Sequence, residues 1–222
     1  MSVTAIISAY YAMPFLAARL ANLQAQSLRP EIVAVCQVGS EECTLLQNYP
    51  EVVVIATDDV PTIYAAWNMA IEKATQEFIT NANADDVLYP GALSCLIEAL
   101  KDSSYALAYA DCDIVMNYEG YPVGRYEWNE GGFQELLETC FIGPMPVWRR
   151  SLHEKCGFFD KEMRSAGDYE FWLRIASSGE KFIHLKKCLG AFYARRDSAS
   201  MREPMRSTWE TARARSRYNK EL

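Results

Sequence analysis

The sequence predicts an α/β domain with a mostly parallel central sheet and helices on both faces. The first observation is that four short apolar segments alternate with helix-like segments along the N-terminal half. The second is that these segments are continuous apolar runs, as expected for strands that are buried on both faces. The third is the length of 222 residues, 50% of them hydrophobic, which suits one large domain with a C-terminal extension.

The N-terminal elements follow from the spacing of apolar residues. Four strands are predicted, at Val3–Ser8, Glu31–Val35, Val52–Ala56 and Phe78–Thr80. Apolar residues recur at helical spacing in three segments, Pro14–Gln26, Thr62–Ala74 and Pro90–Leu100. Because ligands bind beyond the carboxyl ends of such strands, the polar residues at these ends are candidates for one common site.

The pattern loosens after Tyr105. Further strands, antiparallel or at a sheet edge, are predicted at Tyr105–Ala110, Ile114–Tyr126, Lys181–His184 and Leu189–Tyr193. Two more helices are predicted, at Asp168–Ser177 and, with a polar composition, at Glu203–Asn219. We therefore expect one domain over residues 1–200 and a basic C-terminal helix or tail over residues 201–222.

Composition excludes several classes of protein. A net charge of −7 does not suit a protein whose whole surface coats nucleic acid or anionic lipid. The seven cysteines form no C-x-x-C pair, which indicates reduced thiols and a cytoplasmic protein. The N-terminus lacks a basic leader, and no apolar run reaches the roughly 18 residues that span a bilayer. We expect a soluble protein, at most peripheral to a membrane.

Residues 78–91, FITNANADDVLYPG, place two amides and two carboxylates directly after the fourth strand. Adjacent like charges repel, so either water solvates Asp85 and Asp86 in a turn or a cation belongs there. Hard cations such as Mg²⁺ and Mn²⁺ are held by one or two carboxylates, together with water and substrate phosphates. The dipeptide alone favours the turn.

The chain resembles glycosyltransferase family 2, the inverting nucleotide-sugar enzymes with the GT-A fold. The match runs in order through VTAIISAYY, PEIVAVCQVGS, PTIYAAWNMAI, FITNANADDVLYPGAL and SAGDYEFWLRIASSG. These five blocks cover most of residues 1 to about 200. The resemblance implies a GT-A fold and transfer of a sugar from a nucleoside-diphosphate sugar to an acceptor hydroxyl.

The resemblance also assigns a donor site. It implies that Asp85 and Asp86 hold Mn²⁺ or Mg²⁺ and the diphosphate. Asn83 stands where the acidic motif often has its first Asp, and it can still bind a ribose hydroxyl or a metal-bound water. Ala9 and Tyr11 fall in the loop that packs on the base, where an aromatic ring can stack or belong to the core.

Two further positions concern the nucleotide. The family usually has two acidic residues before Gly39-Ser40, and this chain has Cys36 and Gln37 in that region. The Gln37 amide fits the edge of a pyrimidine, so a UDP-sugar is the expected donor, with an ordinary polar turn as the alternative. Asn68 matches the family's Asn near the nucleotide; alone it reads as a helix-surface amide.

The catalytic base is implied to be Asp168. The family segment usually reads Glu-Asp, and here Gly167 stands in place of the Glu. An inverting transfer needs a carboxylate that takes the proton of the acceptor hydroxyl. Asp is also a preferred residue at helix starts, and this structural role is compatible with the catalytic one.

Later segments supply weaker candidates. Trp148 is either a platform under a sugar ring or a core residue. Arg196 lies near the position of a metal-binding His and can clamp a diphosphate. A stripe of basic residues is either solvated surface or an anchor for an anionic acceptor or membrane surface: Arg202, Arg206, Arg213 and Arg217.

Two rival functions remain open. A nucleotidyltransferase on a similar fold normally has a Gly-rich loop after the first strand, and ISAYYAMP has none. A catalytically impaired nucleotide-sugar-binding or scaffold protein of the same fold is favoured by the departures at Cys36, Gln37, Asn83 and Gly167.

Overall fold

The computed structural model describes residues 1–118, 120–195 and 203–218. Within these residues the strands are β1 Val3–Ser8, β2 Glu31–Gln37, β3 Val52–Thr57, β4 Phe78–Asn81, β5 Val87–Leu88, β6 Tyr105–Val115, β7 Gly124–Tyr126, β8 Val147–Arg149 and β9 Lys181–Tyr193. The helices are α1 Met13–Gln24, α2 Glu41–Leu46, α3 Ile63–Lys73, α4 Ala92–Ala99, α5 Phe133–Glu138, α6 Leu152–Cys156, α7 Gly167–Ser177 and α8 Pro204–Ser216.

One sheet joins all of these strands, in the order β3-β2-β1-β4-β8-β6-β9-β5, with β7 paired to β6. The pairings among β1 to β4 are parallel, as the sequence predicts. The second half is mixed, because β8 enters antiparallel between β4 and β6 while β9 runs parallel to β6. The three-residue β8 was not predicted, and β9 is one irregular strand where two were expected.

Helices cover both faces of the sheet. On one face α1 and α4 pack their apolar residues on the strands, and Leu16, Leu20 and Leu23 of α1 are fully buried. On the other face α3 and α7 enclose an aromatic core that includes Trp67 and Phe171. The predicted helices over residues 62–74 and 168–177 are therefore confirmed with bounds shifted by one residue.

The end of each strand explains where a site forms. β1 and β4 are neighbours, with Ile6 opposite Asn81, and the Ala82 N–H donates to the Ile6 carbonyl at 2.9 Å. The residues after Ser8 and after Asn81 therefore leave the sheet side by side. The Thr62 hydroxyl caps α3 by accepting from the Ala65 N–H at 3.1 Å, which starts that helix beside the same edge.

Candidate active site

A cleft of about 490 Å³ opens at this edge of the sheet. Its walls come from residues in the segments 8–15, 60–67, 83–86, 164–168 and 192–195. Five of the predicted site residues line it: Tyr11, Asn83, Asp85, Asp86 and Asp168. Segments that are far apart in sequence, each with a polar or aromatic side chain, thus share one space.

The turn after β4 carries the two acidic residues in different surroundings. Asp85 faces the cleft and forms an ion pair with Arg195, with Nε and Oδ2 2.9 Å apart. Asp86 is buried, at 1% exposure, and its Oδ2 accepts from the Asn83 side-chain amide at 2.9 Å. The turn therefore presents one carboxylate to the cleft and keeps the other beneath it.

A buried arginine lies below this turn. Arg19 is fully buried on the inner face of α1, and it is close enough to Asp86 for each charge to affect the other. Burial, followed by repulsion from Asp85, raises the pKa of Asp86 to about 7, and Arg19 opposes this rise. Burial also lowers the pKa of Arg19 to about 10, so Arg19 stays a cation at neutral pH.

The oxygen atoms of this turn fit a hard divalent cation. Oδ1 of Asn83 and Oδ1 of Asp86 are buried and have no donor at hydrogen-bond distance among the described residues, although the Tyr193 backbone N–H lies near enough to favour the charged form of Asp86. Unpaired buried oxygens are unusual, and a bound ion is one of the ordinary explanations. Among the described residues no group of three or more His, Cys, Asp or Glu side chains could hold a metal by itself. A cation here would therefore need water or substrate phosphate to complete its shell.

Asp168 is the second residue of α7, so its carboxylate lies at the positive end of the helix dipole. Its Oδ1 accepts two hydrogen bonds, from the Tyr169 N–H at 2.8 Å and from the Tyr64 hydroxyl at 3.0 Å. Burial raises the pKa of Asp168, and the two hydrogen bonds act in the opposite direction. The result is an oriented carboxylate on the cleft wall.

The loop before Asp168 is held from behind by α8. The buried carboxylate of Glu210 accepts backbone N–H groups of Arg164, Ser165 and Ala166 at 2.8 to 3.2 Å. The C-terminal helix predicted over residues 203–219 is present over Pro204–Ser216 and packs on α7. It therefore supports one wall of the cleft.

Tyr11 has an unusual backbone conformation beside the cleft. It is the one non-glycine residue with a positive φ among the described residues, at 56°, and its side chain is 79% exposed. Such backbone strain persists where the surrounding structure holds it, often at functional sites. The exposed ring lines the cleft.

Several predicted residues lie outside the cleft. Trp148 is fully buried in β8, where its indole N–H donates to His153 and its ring packs on Trp172, so the sugar-platform interpretation is wrong. The amide of Asn68 exchanges two hydrogen bonds with the Phe159 backbone, at 2.9 and 3.0 Å, and so ties α3 to that loop.

The remaining predicted positions have simple descriptions. Ala9 is buried, and its N–H donates to the Val35 carbonyl. Gln37 ends β2 and donates its amide to the Asp58 carbonyl at 3.2 Å. Arg196 lies outside the described residues.

The predicted basic stripe is only partly present. Arg217 is 38% exposed and forms ion pairs with Asp160 at 3.0 Å and with Glu170 at 2.6 Å, and its assignment to an anionic partner stays a prediction. Arg206 pairs with Glu203, and Arg213 lies over the Trp209 ring at 5.5 Å. Arg202 lies outside the described residues. An anionic partner at Arg206 and Arg213 stays a prediction.

Sequence reasoning missed several polar and charged residues of the cleft, among them Tyr64, Arg164, Ser165 and Arg195. Tyr64 precedes Asn68 by one helical turn, so it belongs to the α3 face that the sequence marks as important. Arg195 adjoins the predicted Arg196, a shift of one position. Arg164 and Ser165 carry no signal beyond their nearness to Asp168.

The described part of the chain contains no helix that is both long and apolar enough to cross a membrane.

Comparison with known proteins gives consistent matches. A family model described as Glycosyl transferase family 2 matches residues 4–157. The uncharacterized glycosyltransferase YwdF of Bacillus subtilis (strain 168) is 25% identical over 209 residues, which cover 89% of this chain and 76% of YwdF.

Solved structures match over nearly the whole chain. Residues 1–349 of S. aureus TarS, in complex with UDP-GlcNAc, give a TM-score of 0.81 at 17% identity, over 100% of this chain and 68% of that one. The mannosyltransferase PcManGT from Pyrobaculum calidifontis, in complex with GDP-Man and Mn²⁺, gives 0.74 at 17% identity, over 99% of this chain and 64% of that one. At these identities the likeness concerns the fold.

Proposed function

Because the chain belongs to glycosyl transferase family 2 and has the GT-A fold, we propose that it transfers a sugar from a nucleoside-diphosphate sugar to an acceptor hydroxyl, with inversion. The observation that carries this proposal is that Asp85 and Asp168 line the same cleft. We assign Asp85 to the diphosphate of the donor and Asp168 to the hydroxyl of the acceptor. The family makes the chain a transferase; the roles of these residues are our proposal.

The donor is proposed to lie between Tyr11 and the turn after β4. The exposed Tyr11 ring offers a stacking surface for the base. Arg195, at 2.9 Å from Asp85, supplies a cation for the diphosphate. TarS and PcManGT were solved with UDP-GlcNAc and GDP-Man, which supports a nucleoside-diphosphate sugar without deciding the base. Gln37 does not line this cleft, so UDP is our first choice because TarS, the solved structure with the higher TM-score of the two, was solved with UDP-GlcNAc.

Asn83, Asp85 and Asp86 are the residues proposed to hold Mn²⁺ or Mg²⁺. Such a cation neutralises the charge that develops on a departing diphosphate. The unpaired oxygens of Asn83 and Asp86 support this assignment, as does Mn²⁺ in the PcManGT structure. Asp86 contributes from beneath, where Arg19 balances its charge.

Asp168 is proposed as the general base. It takes the proton of the acceptor hydroxyl while the acceptor oxygen bonds to the anomeric carbon and the bond from that carbon to the diphosphate breaks. The proton ends on the carboxylate, and the electron pair of the broken bond leaves with the diphosphate. The two hydrogen bonds to Oδ1 hold the carboxylate in one orientation for this transfer.

Thermal unfolding with ligands tests the donor site directly. The native chain and a D85N/D86N variant would be heated with UDP, GDP, dTDP or CMP, each with and without Mn²⁺. A ligand at about 100 times its Kd adds about 2.7 kcal/mol, which raises Tm by roughly 5–10 °C for a chain of this size. We expect a Mn²⁺-dependent rise with UDP that the variant lacks. If no nucleotide raises Tm, the proposal of a donor site fails and the scaffold alternative gains.

A further inference from the structure

Tyr64 and Asp168 meet where α3 and α7 come together at the cleft. The Tyr64 hydroxyl donates to Oδ1 of Asp168 at 3.0 Å. The Tyr64 ring is buried and packs against Trp67 and Phe159, with ring centroids 5.5 and 5.9 Å away. The hydroxyl is therefore presented to the carboxylate by a ring with little freedom to move.

Gly167 provides the space for this contact. A Cβ atom at residue 167 would lie 2.7 Å from Cδ2 and Cε2 of Tyr64, a distance that real Cβ atoms do not reach. The φ of Gly167 is not in the left-handed region, so space is what requires the glycine here. The family resemblance leads one to expect Glu at 167, and in this chain the Tyr64 ring occupies the position where that side chain would begin.

We propose that Tyr64 is a positioning residue for Asp168, and that residue 167 is a glycine because a side chain there would collide with the Tyr64 ring. The proposal rests on the proposed role of Asp168 as general base. On this view the departure at Gly167 belongs to a working site in which a neutral phenol from α3 orients the base.

The hydrogen-bond pattern leaves the carboxylate one oxygen for chemistry. Tyr64 and the Tyr169 N–H both donate to Oδ1, and Oδ2 takes part in neither bond. Burial raises the pKa of Tyr64 well above its ordinary value, so the phenol remains a proton donor across the working range of pH. Oδ2 is thus the oxygen that receives the acceptor proton.

Other charged groups around Asp168 act on the same equilibrium. Glu210 of α8 raises the pKa of Asp168 by repulsion. Cys140, in the loop after α5, interacts electrostatically with Asp168, and Arg164 lines the same cleft. Unlike substitutions of Glu210 or Arg164, Tyr64→Phe removes a hydrogen-bond donor to Asp168 without changing a charge or the backbone.

The test compares Tyr64→Phe with Tyr89→Phe. Tyr89 donates its hydroxyl to Oδ2 of Asp113 at 2.7 Å, away from the cleft, so it is the same chemical contact in another place. UDP-GlcNAc, UDP-Glc and GDP-Man would each be supplied with Mn²⁺, and release of the nucleoside diphosphate to water would be followed from about pH 5 to pH 9. Asp168→Asn serves as the reference for a lost base.

For Tyr64→Phe we expect the acidic limb of the rate profile to move to higher pH, because the carboxylate loses a donor that favours its charged form. The variant-to-native rate ratio should fall by about threefold to tenfold between the alkaline plateau and pH 5, with the donor KM unchanged. Tyr89→Phe should follow the native profile. A ratio for Tyr64→Phe that does not change with pH would overturn the positioning role.

A second readout does not depend on activity. Carboxyl-¹³C aspartate labelling gives each Asp an NMR titration, and Asp168→Asn identifies the Asp168 signal. The titration midpoint of Asp168 should rise in Tyr64→Phe and stay in place in Tyr89→Phe. An unmoved midpoint in Tyr64→Phe overturns the proposal, and this holds even if no donor is hydrolysed. If Tyr64→Phe does not fold, Gly167→Ala takes its place, since the added Cβ displaces the ring and should raise the midpoint too.

The two proposals fail in different ways. Undiminished release by Asp168→Asn would remove Asp168 as the base. If Asp168→Asn releases no nucleoside diphosphate while Tyr64→Phe behaves like the native chain, Asp168 remains the proposed base. The positioning role of Tyr64 is then rejected alone.

Discussion

The turn at residues 83–86 and the loop at residues 164–168 both bring carboxylates to one cleft, but they treat them differently. In the turn, arginines balance the charge, since Arg195 pairs with Asp85 and Arg19 lies near Asp86. In the loop, Asp168 is held by neutral donors and no ion pair of Asp168 is found among the described residues. A carboxylate whose charge is balanced by nearby arginines suits binding of a metal and a diphosphate, whereas a carboxylate held by neutral donors suits proton transfer.

The greatest loss of activity is expected for a substitution of Asp168 in the loop at residues 164–168. Asp168→Asn keeps the shape and an acceptor oxygen for Tyr64 but cannot take a proton. The rate of sugar transfer or donor hydrolysis should fall about 10²- to 10⁴-fold, as for loss of a general base. The UDP-induced rise in Tm should persist, because the residue is assigned to chemistry and the donor is held elsewhere. A variant that loses UDP binding and activity together would contradict this division.

The next effect concerns the support of the loop. Glu210→Gln removes the charge that accepts three backbone N–H groups, so the free energy of unfolding should fall by about 1–3 kcal/mol. Chemical denaturation measures this change. Glu98→Gln is the matched control, because Glu98 pairs with Lys101 on the exposed surface and such a change is expected to cost less than about 0.5 kcal/mol. Equal losses in both variants would show that α8 does not support the loop.

A more modest change, in the affinities for Mn²⁺ and UDP, is expected for a substitution of Arg195 beside the turn at residues 83–86. Arg195→Ala removes the cation that occupies Asp85, so Mn²⁺ should bind about twofold to fivefold more tightly without nucleotide, while UDP binds more weakly. Titration calorimetry measures both affinities. Arg125→Ala, which breaks the ion pair with Asp113 outside the cleft, should change neither. Unchanged Mn²⁺ affinity in Arg195→Ala would mean that Arg195 and the metal do not compete.

The sequence could predict the parallel half of the fold because its strands are continuous apolar runs. Val3–Ser8 was predicted with the observed bounds for this reason. The strand β8 is only three residues long and pairs antiparallel with distant segments, so no local periodicity marks it. The depth of a side chain is equally hidden, which is why Trp148 was a candidate for sugar contact and proved to be core.

For the site, the order of the motifs was enough to select Asn83, Asp85, Asp86 and Asp168, and all four line one cleft. The groups that adjust these residues escaped prediction, because they come from elements distant in sequence. Arg19 also left a signal in the sequence, because it follows Leu16 by three residues and precedes Leu23 by four, on the apolar face of α1. A charge on such a face predicts a buried partner.

The bond between Glu210 and the loop at residues 164–166 spans 44 to 46 residues of chain. During synthesis the strands and the turn at residues 83–86 leave the ribosome long before residue 210 does. A nascent chain that stops short of α8 would hold every proposed contact to the donor and still lack the anchor of its proposed base. The chain would thus become able to bind the donor earlier in translation than it becomes able to transfer the sugar. Transfer would require synthesis to have passed Glu210.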